Sequence, residues 1–336
     1  MNIIKSTLTL LFFVTNIYGQ YQWGSQAYTQ PIGVTNLSIT PASEGDPTFS
    51  FISSVYDQDY AYSGSVYSVN GATLTLGDLD GELEQNPYAE NELAQEPYFL
   101  RLRDGDESHN GRVFLILSNL ENDITVNSGE LSNYVSPNDS IDIIKANTLE
   151  SLFGIGDDFH GASGRPSQSD QILIWSSVGW KTYFYHEDKW QTFGTRSSQN
   201  KTVIYPDEGV VYKRIGTEEL TFSFSGYSPQ IAQCYRPMAD RKFLASNPFS
   251  VNMKISELID HSSNWISSAN PNSADQVLRW NGSAWVSYYH DVNAWRNVLT
   301  QEIDDHVFSP GDSFFIIRST NIAASESYVK ILLPEE

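Results

Sequence analysis

The feature that most constrains this 336-residue chain is that part of it is written twice. Setting 170–190 against 275–295, a shift of 105 positions, superimposes Asp170 on Asp275, Gln171 on Gln276, Leu173 on Leu278, Trp175 on Trp280, Trp180 on Trp285, Tyr183 on Tyr288 and Trp190 on Trp295. Three of these seven identities in 21 positions are tryptophan, the scarcest of the aromatic residues here. Each copy predicts one hairpin: a strand ending near the first Trp, a turn at Ser176–Gly179 or Asn281–Ala284, and a return strand from the second Trp. A second shared element follows each copy, running from Pro206 to Arg214 and from Pro310 to Arg318, and it recurs upstream from Pro137 to Lys145. Physically it is a Pro-acid-small turn feeding a strand that ends in a cation.

Between turn residues placed every 8–12 positions, the segments are short and rich in Val, Ile, Thr, Tyr, Phe and Trp, so the expected fold class is all-β. Asn70-Gly71 between Ser65 and Leu76 predicts a tight hairpin, with further strands at Arg112–Ser118 and Asp123–Val126. One or two helical turns are expected at Thr148–Phe153, with Thr148 as cap, and at Lys254–Ile259. These signals divide the chain into a leader (1–19), an N-terminal segment (20–40), a β-hairpin module (41–147) and two diverged β units (148–250 and 251–336), each sandwich- or barrel-like. The last strand, Tyr328–Leu333, is expected to match Leu220–Ser225.

The leader has Lys5, an apolar stretch from Leu8 to Val14 and Gly19 before Gln20, the pattern of a cleavable secretory signal peptide. The apolar stretch is far shorter than the roughly 20 residues of a membrane span, and no later candidate follows. Export to the periplasm, cell surface or medium is therefore expected. Gln20, where a lipoprotein would have Cys, argues against a lipid anchor. Cys234 is the single cysteine, so no intrachain disulfide can form. The formal charge of −21, or −22 once Lys5 has left with the leader, would repel phosphate backbones, which sets nucleic acid aside as a partner.

Asp275 to Arg318 resembles a family of exported bacterial β-repeat proteins with no known activity, best represented in Verrucomicrobia. The resemblance rests on Asp-Gln-Val-Leu-x-Trp at 275–280, Trp285, Tyr288, Trp295 and Pro-Gly-x-Ser-Phe-Phe-x-x-Arg at 310–318. Ser246-Asn247-Pro248-Phe249 is similar to the element that opens such units. It implies an exported β-repeat protein over roughly residues 45–336 and carries no functional residue across; Asp207-Glu208-Gly209 in the first copy departs from the Pro-Gly turn.

Signatures of chemistry are scarce. His186-Glu187 begins like a zinc-protease helix, but the position four after His186 is Trp190 and the segment reads as strand and turn. Gly161-Ala162-Ser163-Gly164 lacks the strand-to-helix setting of a nucleophile elbow. Cys234 reads as a small buried hydrophobe. Asp170 and Asp275 are the most tempting pair of carboxylates for a polysaccharide hydrolase, yet each occupies the same strand entrance in its own copy, where a carboxylate bonds turn amides. With Gln171, Trp180, Gln276 and Trp285 they are read as repeat-defining structural residues. No cofactor is implied. Calcium stays open through the acidic turns Asp104–Glu107 and Asp78–Glu82, although neither has the glutamate an EF-hand loop requires at its twelfth position.

Aromatics lie on both faces of the return strands. One face must be core; the other could stack on sugar rings or pack on a neighbouring unit. Trp175, Tyr183, Tyr185, Trp190, Trp280, Tyr288 and Trp295 are the candidates for glycan stacking. The leading expectation is an exported, non-catalytic structural or interaction protein of the envelope or extracellular space, with polysaccharide or another envelope component as partner. A carbohydrate-binding module is the first alternative and a polysaccharide-acting hydrolase the second.

Overall fold

The computed structural model describes residues 22–23, 26–27, 31–43, 46–77, 96–103, 109–156, 159, 165–235, 242–260, 265–319 and 329–332. The leader, the acidic turns at 78–82 and 104–107, and Ser163 lie outside these residues. Residues 1–31 form a unit of their own, in which Gln22–Trp23 pairs with Gln26–Ala27. Everything below concerns the second unit, 32–336. It is nearly all β; among the described residues its two α-helices, Leu149–Phe153 and Glu257–Asp260, are short, and three further 3-10 turns have three residues each. No helix among them is long and apolar enough to cross a membrane.

The duplication extends well beyond the Trp hairpins. Sheet I has the spatial order 189–192, 179–186, 171–176, 210–214, 48–52, and sheet II the order 295–297, 285–290, 276–280, 313–317, 242–246. The two orders are the same element by element. The edge strand Thr48–Ile52 pairs with Val210–Arg214 as Lys242–Ser246 pairs with Ser313–Ile317. Just after it, Ser54 Oγ accepts from the Tyr56 amide at 3.3 Å, and Asn247 Oδ1 accepts from the Phe249 amide at 3.1 Å. Asn147–Thr148 pairs with Val203–Ile204 as Met253–Lys254 pairs with Val307–Phe308. Each repeat also pairs its first strand with its last: Ile32–Ile39 with Leu220–Tyr227, and Gln233–Tyr235 with Val329–Ile331.

The unit boundaries therefore differ from those expected. The first repeat begins at residue 32 instead of 148, and the second at 233 instead of 251. What stands between is a closed six-stranded antiparallel barrel, Tyr60–Asn70, Thr73–Gly77, Asp123–Val126, Val113–Leu120, Tyr98–Leu102 and Ser140–Lys145, inserted into the first repeat. Its two ends lie side by side: the Lys145 amide donates to Asp59 O at 2.9 Å, and Asn147 Nδ2 donates to Tyr56 O at 3.3 Å. In the second repeat, residues 250–252 bridge the same gap. A sequence reader sees contiguous segments; an insertion whose ends meet in space leaves no local mark.

Alternation fills the barrel with Val66, Leu74, Leu76, Leu100, Leu102, Ile116, Ile124, Val126, Ile141 and Ile143, so its interior is a packed core. The upstream Pro-turn-strand copy is one of its staves, Ser140–Lys145, and not part of a third repeat. The hairpin turn falls one residue later than expected. Asn70 pairs with Thr73, leaving Gly71 and Ala72 as the loop, with Gly71 at φ 61°, in the first loop position that a tight hairpin reserves for glycine. The helix at 149–153 starts at Thr148, whose Oγ1 accepts from the Ser151 amide at 3.1 Å while Ser151 Oγ accepts from the Thr148 amide at 2.7 Å.

The barrel docks through charge that is out of water. Arg101, on its outer surface, is 2.7 Å from Asp57 and 3.7 Å from Asp142, and all three are buried. Burial alone would favour a neutral guanidine, but Asp57, Tyr60 and Asp142 outweigh it and hold Arg101 above its ordinary pKa. Burial raises Asp142, against the pull of Arg101 and Arg103. Desolvating these charges offsets much of their mutual attraction, so the cluster is weak evidence for added stability.

Candidate functional site

The two sheets face each other. Phe51, Leu173, Trp175 and Val211 of sheet I pack with Leu244, Leu278, Phe315 and Ile317 of sheet II. Ile52 bridges to Asp312 and Ala245 to Glu208, which are equivalent contacts made in opposite directions. The Ser53 amide donates to Gly311 O at 3.1 Å, and the Gly209 amide to Leu244 O at 3.0 Å. The edge strand of each sheet is thus covered by the Pro-acid turn of the other, which answers the edge-pairing hazard of an open sheet. The arrangement has approximate two-fold symmetry, the geometry of a homodimer built into one chain.

Both rims of this contact are aromatic. Trp175 packs edge-on against Trp180 at 5.0 Å and Phe315 at 5.4 Å, and its Nε1 donates to Lys242 O at 2.9 Å. Trp280 lies 5.5 Å from Trp285, which meets Phe51 edge-on at 5.1 Å and Phe315 at 5.6 Å. Trp175 and Trp280 are half-buried. Trp180 and Trp285 keep 40% and 43% of their surface exposed, and Phe49, on the Phe51 side of its strand, keeps 45%.

The other five candidate stacking residues are not on the surface. Tyr183, Tyr185 and Trp190 lie in the first repeat's core with Phe153, Tyr212 and Phe222. There Trp190 Nε1 donates to Gly154 O at 3.0 Å, and the Gly156 amide donates to Tyr185 Oη at 2.7 Å. Tyr288 and Trp295 lie in the second core, Tyr288 stacked on His306 at 5.4 Å and Trp295 edge-on to Trp265 at 5.5 Å. The correction has a simple cause: both faces of each sheet are covered, one by its own repeat and one by the sister sheet. Strand alternation tells which side chains share a face but not what covers it. Among the repeated aromatics the exposed rings are Trp180 and Trp285, which the sequence places among the structural residues.

Asp170 and Asp275 are fully buried. Asp170 accepts from Arg214 Nη1, from Tyr212 Oη at 3.1 Å and from the Ile215 amide at 2.7 Å. Asp275 pairs with Arg318 Nε at 2.9 Å and accepts from the amides of Ser319 at 2.7 Å and Ile266 at 2.9 Å. Each carboxylate thus locks the cation at the end of the Pro-turn strand, and neither opens onto a cleft in which it could serve hydrolysis. Burial, reinforced by Asp170, raises the Tyr212 hydroxyl far above its ordinary range. Gln171 and Gln276 repeat one bond, each donating from Nε2 to the carbonyl of a proline five residues earlier, Pro166 or Pro271.

His186 and Glu187 sit on a hairpin, not a helix: His186 pairs with Lys189, and Glu187 and Asp188 form the loop at φ 51° and 58°. Among the described residues no three His, Cys, Asp or Glu side chains converge as a metal site. Cys234 is buried, and burial pushes its thiol up to about 11, opposite to what a nucleophile requires. Neither a protein-family model, nor a curated protein, nor a solved structure matches this chain.

Proposed function

We propose that this chain is an exported, non-catalytic structural or interaction protein of a bacterial envelope or the extracellular space, akin to the β-repeat family that its second copy resembles. The observation that carries the reading is the fate of the repeated residues. Asp170, Gln171, Asp275 and Gln276 are consumed in holding strands and turns together. Half of the repeated aromatics, Tyr183, Trp190, Tyr288 and Trp295, fill the two cores. A duplication that conserves such residues conserves a scaffold, and the strongly acidic composition suits a protein that must stay soluble outside the cell. N-terminal sequencing of the protein recovered from the producing cell and its medium tests the export step. A product outside the cytoplasm that begins at Gln20 is expected; an intact leader on a cytoplasmic product would overturn it.

A second reading, carbohydrate binding, is favoured by one feature, the half-exposed indoles of Trp180 and Trp285 on the rims. Net negative charge would turn away anionic glycans and leave neutral ones. Tryptophan fluorescence titrated with neutral polysaccharides tests it. A saturable shift lost in Trp180→Ala or Trp285→Ala supports glycan binding, and a flat response removes it.

A further inference from the structure

The outer edges of the two sheets, Lys189–Thr192 and Trp295–Asn297, are short and covered by the segments that follow them. Trp190 O accepts from the Gln199 amide at 2.7 Å and the Trp190 amide donates to Asn200 Oδ1 at 2.9 Å, while Trp295 O accepts from the Asp304 amide and the Asn297 amide donates to Glu302 O, both at 3.0 Å. Ile32–Ile39 is different: eight residues, Ile-Gly-Val-Thr-Asn-Leu-Ser-Ile, with no charge, no proline and an unbroken register against Leu220–Tyr227. Its counterpart Gln233–Tyr235 is wholly buried, and a barrel turn lies against that strand's approach. A Cβ on Gly111 would stand 2.1 Å from Ala232 O. The first repeat has no such cover among the described residues.

Which backbone groups face outward can be derived. Tyr227 exchanges both backbone hydrogen bonds with Asp57, at 2.9 Å each, so its polar groups point away from Ile32. Alternation then directs the N–H and C=O of Ile32, Val34, Asn36 and Ser38 outward, and those of Gly33, Thr35, Leu37 and Ile39 toward the ribbon partner. The same four residues are exposed, Ile32 at 72% and Val34 at 67%.

We infer that this edge pairs with the same edge of a second copy, antiparallel about a two-fold axis at Thr35. Only an extended backbone satisfies such a row, and this one is self-complementary. With Thr35 facing Thr35, outward residues meet outward residues: Ile32 opposite Ser38, and Val34 opposite Asn36, on both sides of the axis. All four outward residues of each copy are then used, and the two ribbons join into one four-stranded sheet. The charge of −21 per chain opposes approach, but the strand itself is neutral and screening at physiological salt confines repulsion to about 8 Å, so salt strengthens the dimer.

Sedimentation equilibrium of the full chain as purified from expressing cells tests this, over a concentration series at low and high salt. The expected result is a mean mass that doubles with concentration, at lower concentration when salt is high. Asn36→Pro removes an N–H that the ribbon does not use, and Val34→Lys adds the missing guard charge. Both should be monomeric throughout and still fold, melting close to the wild type at concentrations where it too is monomeric, Asn36→Pro having lost only the exposed bond from Ser223 Oγ. A wild type that stays monomeric at every concentration and salt, or variants that dimerise as the wild type does, would overturn the inference.

Discussion

Gly209 and Ser313 hold the same position in the two repeats, and they touch each other. A Cβ built on Gly209 would lie 2.7 Å from the Cβ of Ser313 and 2.6 Å from its Oγ, with Ala245 O at 2.9 Å. Equivalent residues meet only where a symmetry axis passes, so the pseudo-dyad runs between these two. There is room for one side chain on the axis, and Ser313 fills it. This is why the first copy has glycine where the second has serine. Gly209→Ala should cost about 1–3 kcal/mol in urea unfolding, the range for overpacking a tight contact. Ser313→Gly in the same chain should recover part of that loss, because the two sites share one space.

Asp170→Ala leaves Arg214, Tyr212 Oη and the Ile215 amide without their shared acceptor, all in a buried setting. A loss of about 3–5 kcal/mol is expected, as for any broken buried ion pair. Arg214→Met should cost less, since the carboxylate retains its tyrosine and amide donors. The order Asp before Arg, measured by chemical unfolding, is the check.

Tyr183→Ala and Trp190→Ala empty fully buried volume and should each cost about 3–5 kcal/mol. Trp180→Ala removes a ring that already keeps 40% of its surface in water, so its cost should be clearly smaller. Equal losses at the three positions in thermal unfolding would contradict the placement of these rings.

His306 is held below its ordinary pKa of 6.5, first by burial and then by Arg279. Its proton therefore binds the unfolded chain better than the folded one. Above pH 6.5 the group makes no difference; as pH falls below that, stability declines. His306→Phe, which preserves a ring on Tyr288, should flatten that part of the stability–pH profile.

The buried Cys234 thiol, displaced upward to about 11, should resist alkylation in the native protein at mildly alkaline pH and react fully once urea unfolds it. Rapid native labelling would contradict its burial.

Much of the local structure was legible because local chemistry decides it. Thr148 caps its helix by its own hydroxyl, Asn281 turns the second Trp hairpin by accepting from the Ser283 and Ala284 amides, and Glu187-Asp188 closes a loop between two strands. Pairing Asp170 with Asp275 located equivalent strand entrances. Strand 48–52 carries no sign of belonging to a repeat, because Phe49 and Phe51 correspond to Lys242 and Leu244, leaving no identity to align.

What the sequence by itself determined is the all-β class, the duplication at its Trp hairpins and the turns between strands, since each follows from side-chain period and neighbouring hydrogen bonds. Only the tertiary structure decided that a barrel interrupts the first repeat, that the two sheets close on each other about Gly209 and Ser313, and that Trp180 rather than Tyr183 meets water. Those outcomes depend on which surface covers which, and the residues concerned stand far apart along the chain.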